Sequence, residues 1–293
     1  MITHSPKVYL IIFLFLNIIN FIDRNILFAF GDTIKTEFAL TNTQWGLLTG
    51  LVFLFSYSVA SVFIGVLGDR FSRTKIIGIG IMFWSAMTAL TGLAKNISTL
   101  FLSRALIGVG ESSLSPNAMS MLSDVYPQER RGLATAIYYL GIPLGVGIGF
   151  LIQSIFGPIF GWRNIFISLG VLGIIIGFLI YFLTEPARGA IDKKNDRNTQ
   201  QSKISDTIKL AFKSITSSRS LWLIMLGGVI AHIPWALEAL ILCGLFKNVD
   251  LKKKNTPQFL ASSLLSEAQS ELFLEVLLVT ILQRDTRREL CWL

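Results

Sequence analysis

The sequence predicts an all-α integral membrane protein, and three observations carry that reading. Hydrophobic residues make up 52% of the 293-residue chain and charged residues only 15%, where an ordinary soluble domain has about 25% charged residues. The apolar stretches are continuous over roughly 20 residues, the length a helix needs to cross a hydrocarbon core of about 30 Å. A membrane barrel would alternate apolar and polar positions instead. Lys and Arg also segregate to alternate loops, as they do around membrane helices. A mean hydropathy of +0.62 excludes a disordered chain, which needs low hydrophobicity.

Seven spans are expected, at residues 8–30, 44–67, 76–94, 100–121, 133–156, 165–183 and, less cleanly, 221–246. The first follows Lys7 and imitates a signal peptide. No small-residue cleavage site follows it and Asp23-Arg24 interrupts the run, so it reads as a retained helix. With the N-terminus inside, the segments on that side of the first six spans, the linker included, hold fourteen Lys and Arg, among them Arg70, Arg73, Lys75, Arg130 and Arg131. The outer loops hold three, Lys35, Lys95 and Arg163. That asymmetry sets a cytoplasmic N-terminus and accounts for the net charge of +8 without nucleic acid. A bacterial inner membrane is the expected location.

The chain then divides into a six-helix bundle (1–184), a basic cytoplasmic linker (185–219), a seventh helix (220–246) and a tail (247–293). In the linker, Ile204, Ile208, Phe212 and Ile215 recur at helical spacing with lysines between them, a pattern for a short helix on the membrane surface. Cys243 and Cys291, His4 and His232 match no metal or disulfide spacing. No cofactor is expected, and no nucleophile–base pair or phosphate loop in a soluble segment points to an enzyme.

Three segments carry motifs. Between spans two and three lies Gly65-Val-Leu-Gly-Asp-Arg-Phe-Ser-Arg-Thr-Lys75. Gly65 and Gly68 would let helices approach closely, Asp69 would accept from a helix N-terminus or a cation, and Arg70 and Arg73 would pair with carboxylates across the bundle. The plain alternative is a positively charged loop that stops a helix. Span four carries Arg104-Ala-Leu-Ile-Gly-Val-Gly-Glu-Ser-Ser-Leu-Ser-Pro116, with Gly108, Gly110 and Glu111 inside it. Span five carries Gly141, Gly145 and Gly149 at four-residue spacing, with Pro143 between them. That stripe suits close packing, static or at a moving interface, and Pro143 can seed a bend. Gly145-x-Gly147-x-Gly149 follows no strand, so it is not a nucleotide fingerprint.

The first motif resembles the cytoplasmic loop signature of the major facilitator superfamily, Gly-x-x-x-Asp-Arg-x-x-Arg-x-Lys, and the second its fourth-helix signature, Arg-x-x-x-Gly-x-Gly. Asp124-Val-Tyr-Pro-Gln-Glu-Arg-Arg-Gly132 and Gly161-Trp-Arg163 resemble its usual connections. Within the superfamily the chain is similar to the Spinster-like group in Asn20-Phe-Ile-Asp-Arg24, Gly108-Val-Gly-Glu-Ser-Ser-Leu-Ser115 and Ile142-Pro-Leu-Gly-Val-Gly-Ile-Gly149. The resemblance implies the N-terminal six-helix bundle of the major facilitator fold plus a partial seventh helix. It also implies proton-coupled movement of lysolipids or related amphiphiles, with other organic solutes or drugs as variants. Protons, a small solute and membrane lipid are the implied partners.

The residue chemistry points to the same places. Ionisable side chains inside a span are costly and face a cavity or one another. Four lie well inside the first six spans: Asp23, Arg24, Arg104 and Glu111. Adjacent helical residues point about 100° apart, so Arg24 could pair with Glu111 while Asp23 faces an aqueous cavity. Burial and a neighbouring guanidinium act on a carboxyl in opposite senses, as a proton switch requires; a static ion pair is the alternative. Arg104, near the start of its span, is read as structural, with a side chain that can snorkel outward. His232 and Glu238 in span seven are read as structural.

The tail departs from the pattern. Lys252 to Lys254 would lie outside, against the charge rule, and 272–282 is too short to cross. The expectation is a frameshift or premature stop near residues 240–250, testable by translating the downstream DNA in all frames. A lone bundle would then transport poorly unless a second copy or a separate second half completed it. A nonfunctional remnant, or a half-size protein that binds a partner, is the competing reading.

Overall fold

A computed structural model describes residues 5–189. The expectations for the rest of the linker, the surface helix, span seven with His232 and Glu238, the tail, His4 and both cysteines lie outside these residues.

Among the described residues the structure is helical throughout, and each break in the helices has a local cause. Helix α1 (Pro6–Ala29) opens with Pro in its first turn, where a missing N–H costs nothing. A short helix α2 (Gly31–Glu37) follows. Thr41 then starts α3 (Asn42–Gly46) through a reciprocal capping box with Gln44. One π-helical turn, Leu47–Leu51, joins α3 to α4 (Val52–Arg70), so the second crossing runs from Asn42 to Arg70. Helix α5 (Arg73–Gly92) is the third crossing, and Asn96 caps α6 (Ile97–Glu111) by accepting from Thr99 N.

The fourth span, expected as one helix over 100–121, is broken at Ser112-Ser113 into α6 and α7 (Leu114–Val125). Pro116 explains the break, because it has no N–H to return to the carbonyl one turn earlier. The same reason places the interruption at Leu140, between α8 (Gln128–Tyr139) and α9 (Gly141–Tyr181), one turn before Pro143. Pro143 therefore sits in a first turn rather than in the middle of a bent helix.

Spans five and six run into each other within α9. The corner is Pro158 followed by Gly161, whose φ of 70° and ψ of 161° no side-chain-bearing residue adopts readily. The chain reverses there. Before the corner α9 runs alongside α1, with Gly141 at Asn17 and Gly157 at Phe30; after it α9 runs antiparallel to α5, with Arg163 at Gly92 and Tyr181 at Gly78.

Glycine sets how closely these helices approach. A Cβ on Gly141 would lie 2.8 Å from Asn17, and one on Gly145 2.6 Å from Ile18 O. Gly149, 3.7 Å from its nearest neighbours, is in ordinary contact. The tighter seam was not singled out from sequence. It joins α5 to the second half of α9, where a Cβ on Gly78 would meet the Tyr181 backbone at 2.8 Å and one on Gly170 would meet Ser85 O at 2.5 Å.

Two apolar clusters fill the bundle. One contains Phe13, Leu16, Ile77, Ile81, Trp84, Ile107, Met121 and Tyr138; the other contains Ile26, Leu27, Phe30, Ile34, Leu48, Leu100, Trp162 and Phe166. Along α1, Asp23 and Arg24 fall between the two.

A polar clasp closes the end of the second cluster. Glu37 accepts from Trp162 Nε1 at 2.8 Å and from Arg163 Nη2 at 2.5 Å. Arg163 Nη1 also donates to Gly92 O at 3.0 Å and Ala94 O at 2.6 Å. One guanidinium thus ties three turns of chain together. Partial burial raises the Glu37 carboxyl, but the hydrogen bonds from Arg163 and Trp162 outweigh it and hold it below its ordinary value of 4.5. A depressed carboxylate adds stability above its unfolded value and loses it as pH falls through the lower folded value. Unfolding midpoints should therefore drop on acidification below about pH 4.5, and Glu37→Gln should lower the neutral-pH midpoint and flatten that part of the profile. An unchanged acid limb in Glu37→Gln would remove the clasp from the account.

Candidate functional site

The buried charges expected from sequence gather at one level of the bundle. Arg24 donates from Nη2 at 2.7 Å and from Nε at 3.1 Å to the same Glu111 oxygen, Oε2. The Glu111 side chain has no exposed surface, while Arg24 keeps 24%. The Arg24 guanidinium lies over Phe53 at 4.6 Å, Phe21 at 4.9 Å and Tyr57 at 5.3 Å. Aromatic faces attract a desolvated cation, so the sequence around position 24 builds a half-open cationic surface with aromatic walls.

Asp23 does not face an open cavity as expected. It is 3% exposed and accepts from Trp84 Nε1 at 3.0 Å, on the side toward α5. The 100° step between neighbours sends Arg24 toward α4 and Asp23 into the bundle. There a buried indole N–H needs an acceptor, and Asp23 provides it.

Arg104 does not snorkel either. It is 3% exposed, its guanidinium lies 4.4 Å from the Phe53 ring centroid, and its Nη2 reaches Arg24 O at 3.5 Å. Two carboxylates and an aromatic face inside the bundle compete with the interface for this cation, and the inward position wins. Asp23, Arg24, Arg104 and Glu111 form a cluster of two acids and two bases with no net formal charge.

The two glycines of the fourth-span signature make the site possible. A Cβ on Gly108 would lie 2.8 Å from Phe53 O, and one on Gly110 2.7 Å from Trp84 Cβ. These contacts bring α4 and α5 against α6, so that Phe53 and Trp84 reach the charges. Neither Phe53 nor Trp84 was identified from sequence. Each sits in an apolar run with no local polar signal; only the indole N–H of Trp84 hinted at a partner.

The loop signature forms a second cluster at the far end of the bundle. Arg73 is 3% exposed and pairs with Asp124 at 2.6 Å and Glu185 at 2.7 Å, and it donates to Ser120 Oγ at 2.8 Å. Burial raises the Glu185 carboxyl, but hydrogen bonds from Arg73 and Ser72 and the Arg73 charge outweigh it and hold it below the usual carboxylate value. Arg188 donates to Gly68 O at 2.9 Å, to Phe71 O at 2.6 Å and to Asp69 O, capping the last carbonyls of α4 with a cation. The Asp69 carboxylate and Arg70 are exposed, and Lys75 Nζ lies 5.8 Å from the Tyr181 ring. Gly68 packs against Asn117, but a Cβ on Gly65 would meet open space, so of the two loop glycines only Gly68 serves a close approach among the described residues.

A family model described as Major Facilitator Superfamily matches residues 13–264. The chain is 32% identical over 210 residues to Protein spinster of Drosophila melanogaster, covering 71% of this chain and 34% of that protein. It is 36% identical over 212 residues to the Sphingosine-1-phosphate transporter SPNS2 of Danio rerio, covering 71% of this chain and 42% of that protein. The chain thus spans well under half the length of these curated relatives. Among solved structures it is similar to a bacterial homologue of the human lysosomal transporter Spinster in an inward-facing, unoccupied conformation. The TM-score there is 0.61 at 28% identity, over 76% of this chain and 51% of that one.

Proposed function

Because the chain belongs to the Major Facilitator Superfamily, a family of transporters rather than enzymes, we propose that its gene product moves an amphiphilic or organic anionic small solute across the membrane in a proton-coupled way. The observation that supports this most is the Arg24–Glu111 pair, with Arg24 half-open and walled by Phe21, Phe53 and Tyr57. A guanidinium recognises carboxylate and phosphate groups by paired hydrogen bonds, and the aromatic wall suits the apolar part of such a solute. Protein spinster and the sphingosine-1-phosphate transporter, to which the chain is similar, make a lysolipid-like solute the first to test.

Coupling follows from competition for Arg24. While Glu111 is ionised it holds both Nε and Nη2 of Arg24. A proton on Glu111 weakens that hold and releases the guanidinium for an anion. Proton binding at Glu111 and anion binding at Arg24 then favour each other, and by linkage each must raise the affinity for the other equally. Asp23, bonded to Trp84 on the neighbouring helix, is the second carboxylate in the same charge balance. In the orientation the Lys/Arg asymmetry supports, the N-terminus and the Arg73 cluster lie in the cytoplasm of a bacterial inner membrane.

In proteoliposomes of the full gene product, a pH gradient should drive uptake of a lysophospholipid. Asp23→Asn and Glu111→Gln should each cut that flux by at least about tenfold, equivalent to 1.4 kcal/mol. Uptake that ignores the gradient, or survives both substitutions, would refute the proton-coupled reading.

A further inference from the structure

The second crossing carries a π-helical turn, Leu47–Leu51, closed by a hydrogen bond from Val52 N to Leu47 O. Such turns are rare inside α-helices and frequently mark functional sites. This one decides which side chains face inward. Leu48 and Phe53 are 0% and 2% exposed, whereas Leu47, Leu51 and Leu54 are 39%, 64% and 58% exposed. In an uninterrupted α-helix the step from Leu48 to Phe53 advances about 500°, which leaves them about 140° apart. The extra residue of the π-turn takes up about 100° of that and lets both face the bundle. Phe53 then meets Arg24 and Arg104. Leu48 joins the second apolar cluster and lines the same small void as Asp23, Thr91 and Arg104.

The same residues suit a second register. Below the turn α4 is fixed, because Gly108 of α6 packs directly on Phe53 O. Above it the helix is held by buried Leu48, by the edge of Trp45 on Gly31 and by the capping box at Thr41. Closing the π-turn into an α-helix would rotate that outer piece by about 100° relative to Phe53. Leu48 would leave the bundle. Gly46, Thr49 and Gly50 would take the inward face, each within about 60° of Phe53. The wall would change from a leucine to two glycines and a threonine. In the present register a Cβ on Gly46 or Gly50 meets nothing within 4 Å among the described residues, so neither glycine serves a close approach where it stands.

We infer that residues 47–51 are a register switch and that Leu48 is the gate it moves. The π register closes the charge cluster from the end of the bundle that holds Glu37 and Arg163, and the α register opens it. Two discrete arrangements of one packed element are the basis of such a switch. That the gate serves transport rests on the reading above; the change of register does not.

Thiol labelling of the full chain in lipid nanodiscs tests it, with Cys243 and Cys291 changed to Ser and Thr91→Cys as the target. Thr91 is 4% exposed and shares the void wall with Leu48. The probe is a charged methanethiosulfonate, which reaches the cysteine only while the wall is open. Gly50→Leu puts its side chain in open space in the π register but carries it into the wall in the α register. It should slow labelling several-fold and leave the unfolding midpoint unchanged or higher. Deleting Gly50 lets Leu48 and Phe53 both face inward in a plain α-helix with no second register, and should slow labelling as much. Leu48→Ala should speed it several-fold, while Leu51→Ala, at a side chain outside the bundle, should leave it unchanged. Labelling no slower in Gly50→Leu than in its parent overturns the switch. A cysteine at position 91 that resists labelling in the parent and in all of these variants also overturns it. The labelling uses neither a proton gradient nor a solute, so a switch that passes it stands even where lysophospholipid flux fails.

Discussion

Glu111→Ala should destabilise the folded bundle by about 3 kcal/mol, the lower end of the range for breaking a buried ion pair from one side. Glu111 is fully buried and accepts two hydrogen bonds from Arg24. Without it two guanidiniums face one remaining carboxylate, Asp23, with Phe53 against both. The lower end applies because Arg24 is 24% exposed and can turn part of its charge toward water. Glu111→Gln keeps an oxygen for Arg24 and should lose about half as much, since a hydrogen bond to a charged donor survives. The check is a double-mutant cycle of unfolding free energies in detergent. Adding Arg24→Ala to Glu111→Ala should recover part of the loss, because the stranded cation goes with it. Strictly additive losses would mean that the pair contributes nothing as a pair, and the competition for Arg24 on which coupling rests would lose its basis.

That cycle also bears on how the site could be read from sequence. Arg24 and Glu111 were legible as partners because both are charges inside apolar runs, and in hydrocarbon a charge must find a partner or a cavity. The direction of Asp23 was not. Helical spacing separates it from Arg24 by about 100°, yet nothing local says which of the two turns toward α5, because that depends on where Trp84 arrives. Arg104 was placed wrongly for a similar reason. Its position near the start of a span suits an outward side chain, and only the three-dimensional neighbourhood of Phe53, Asp23 and Glu111 draws it in. The clasp of Glu37, Trp162 and Arg163 gave a weaker signal still. Glu37 lies 125 or more positions from its two partners, and Trp162 and Arg163 were read only as part of a usual connection, Arg163 also as one of three outer charges. The spans themselves were plain because a membrane demands long apolar runs, and the breaks in them sit one turn before Pro116 and Pro143, where proline chemistry puts them.

Gly110→Ala should cost about 1–3 kcal/mol, the usual range for overpacking a filled core, and Gly110→Val more. A Cβ at this position would stand 2.7 Å from Trp84 Cβ, 2.9 Å from Trp84 N and 3.1 Å from Trp84 Cα. Two of these three atoms are backbone, so the neighbour cannot yield by rotating a side chain; α5 and α6 must separate. Separation carries the Trp84 indole away from Asp23, so the damage reaches the charge cluster as well as the packing. Gly147 provides the contrast, because a Cβ there meets nothing within 4 Å among the described residues. Removing a glycine from a helix interior is worth roughly 0.5–1 kcal/mol when space permits, so Gly147→Ala should be neutral or stabilising. Gly65 lies in equally open space, and Gly65→Ala should behave like Gly147→Ala in unfolding measurements even though Gly65 belongs to the loop signature. If Gly65→Ala impairs flux while leaving stability intact, its signature role lies in the transport cycle rather than in the packing of these helices. If Gly110→Ala proves as harmless as Gly147→Ala, the close approach of α5 and α6 does not hold Trp84 in place, and the indole–carboxylate bond at Asp23 must be maintained by other contacts.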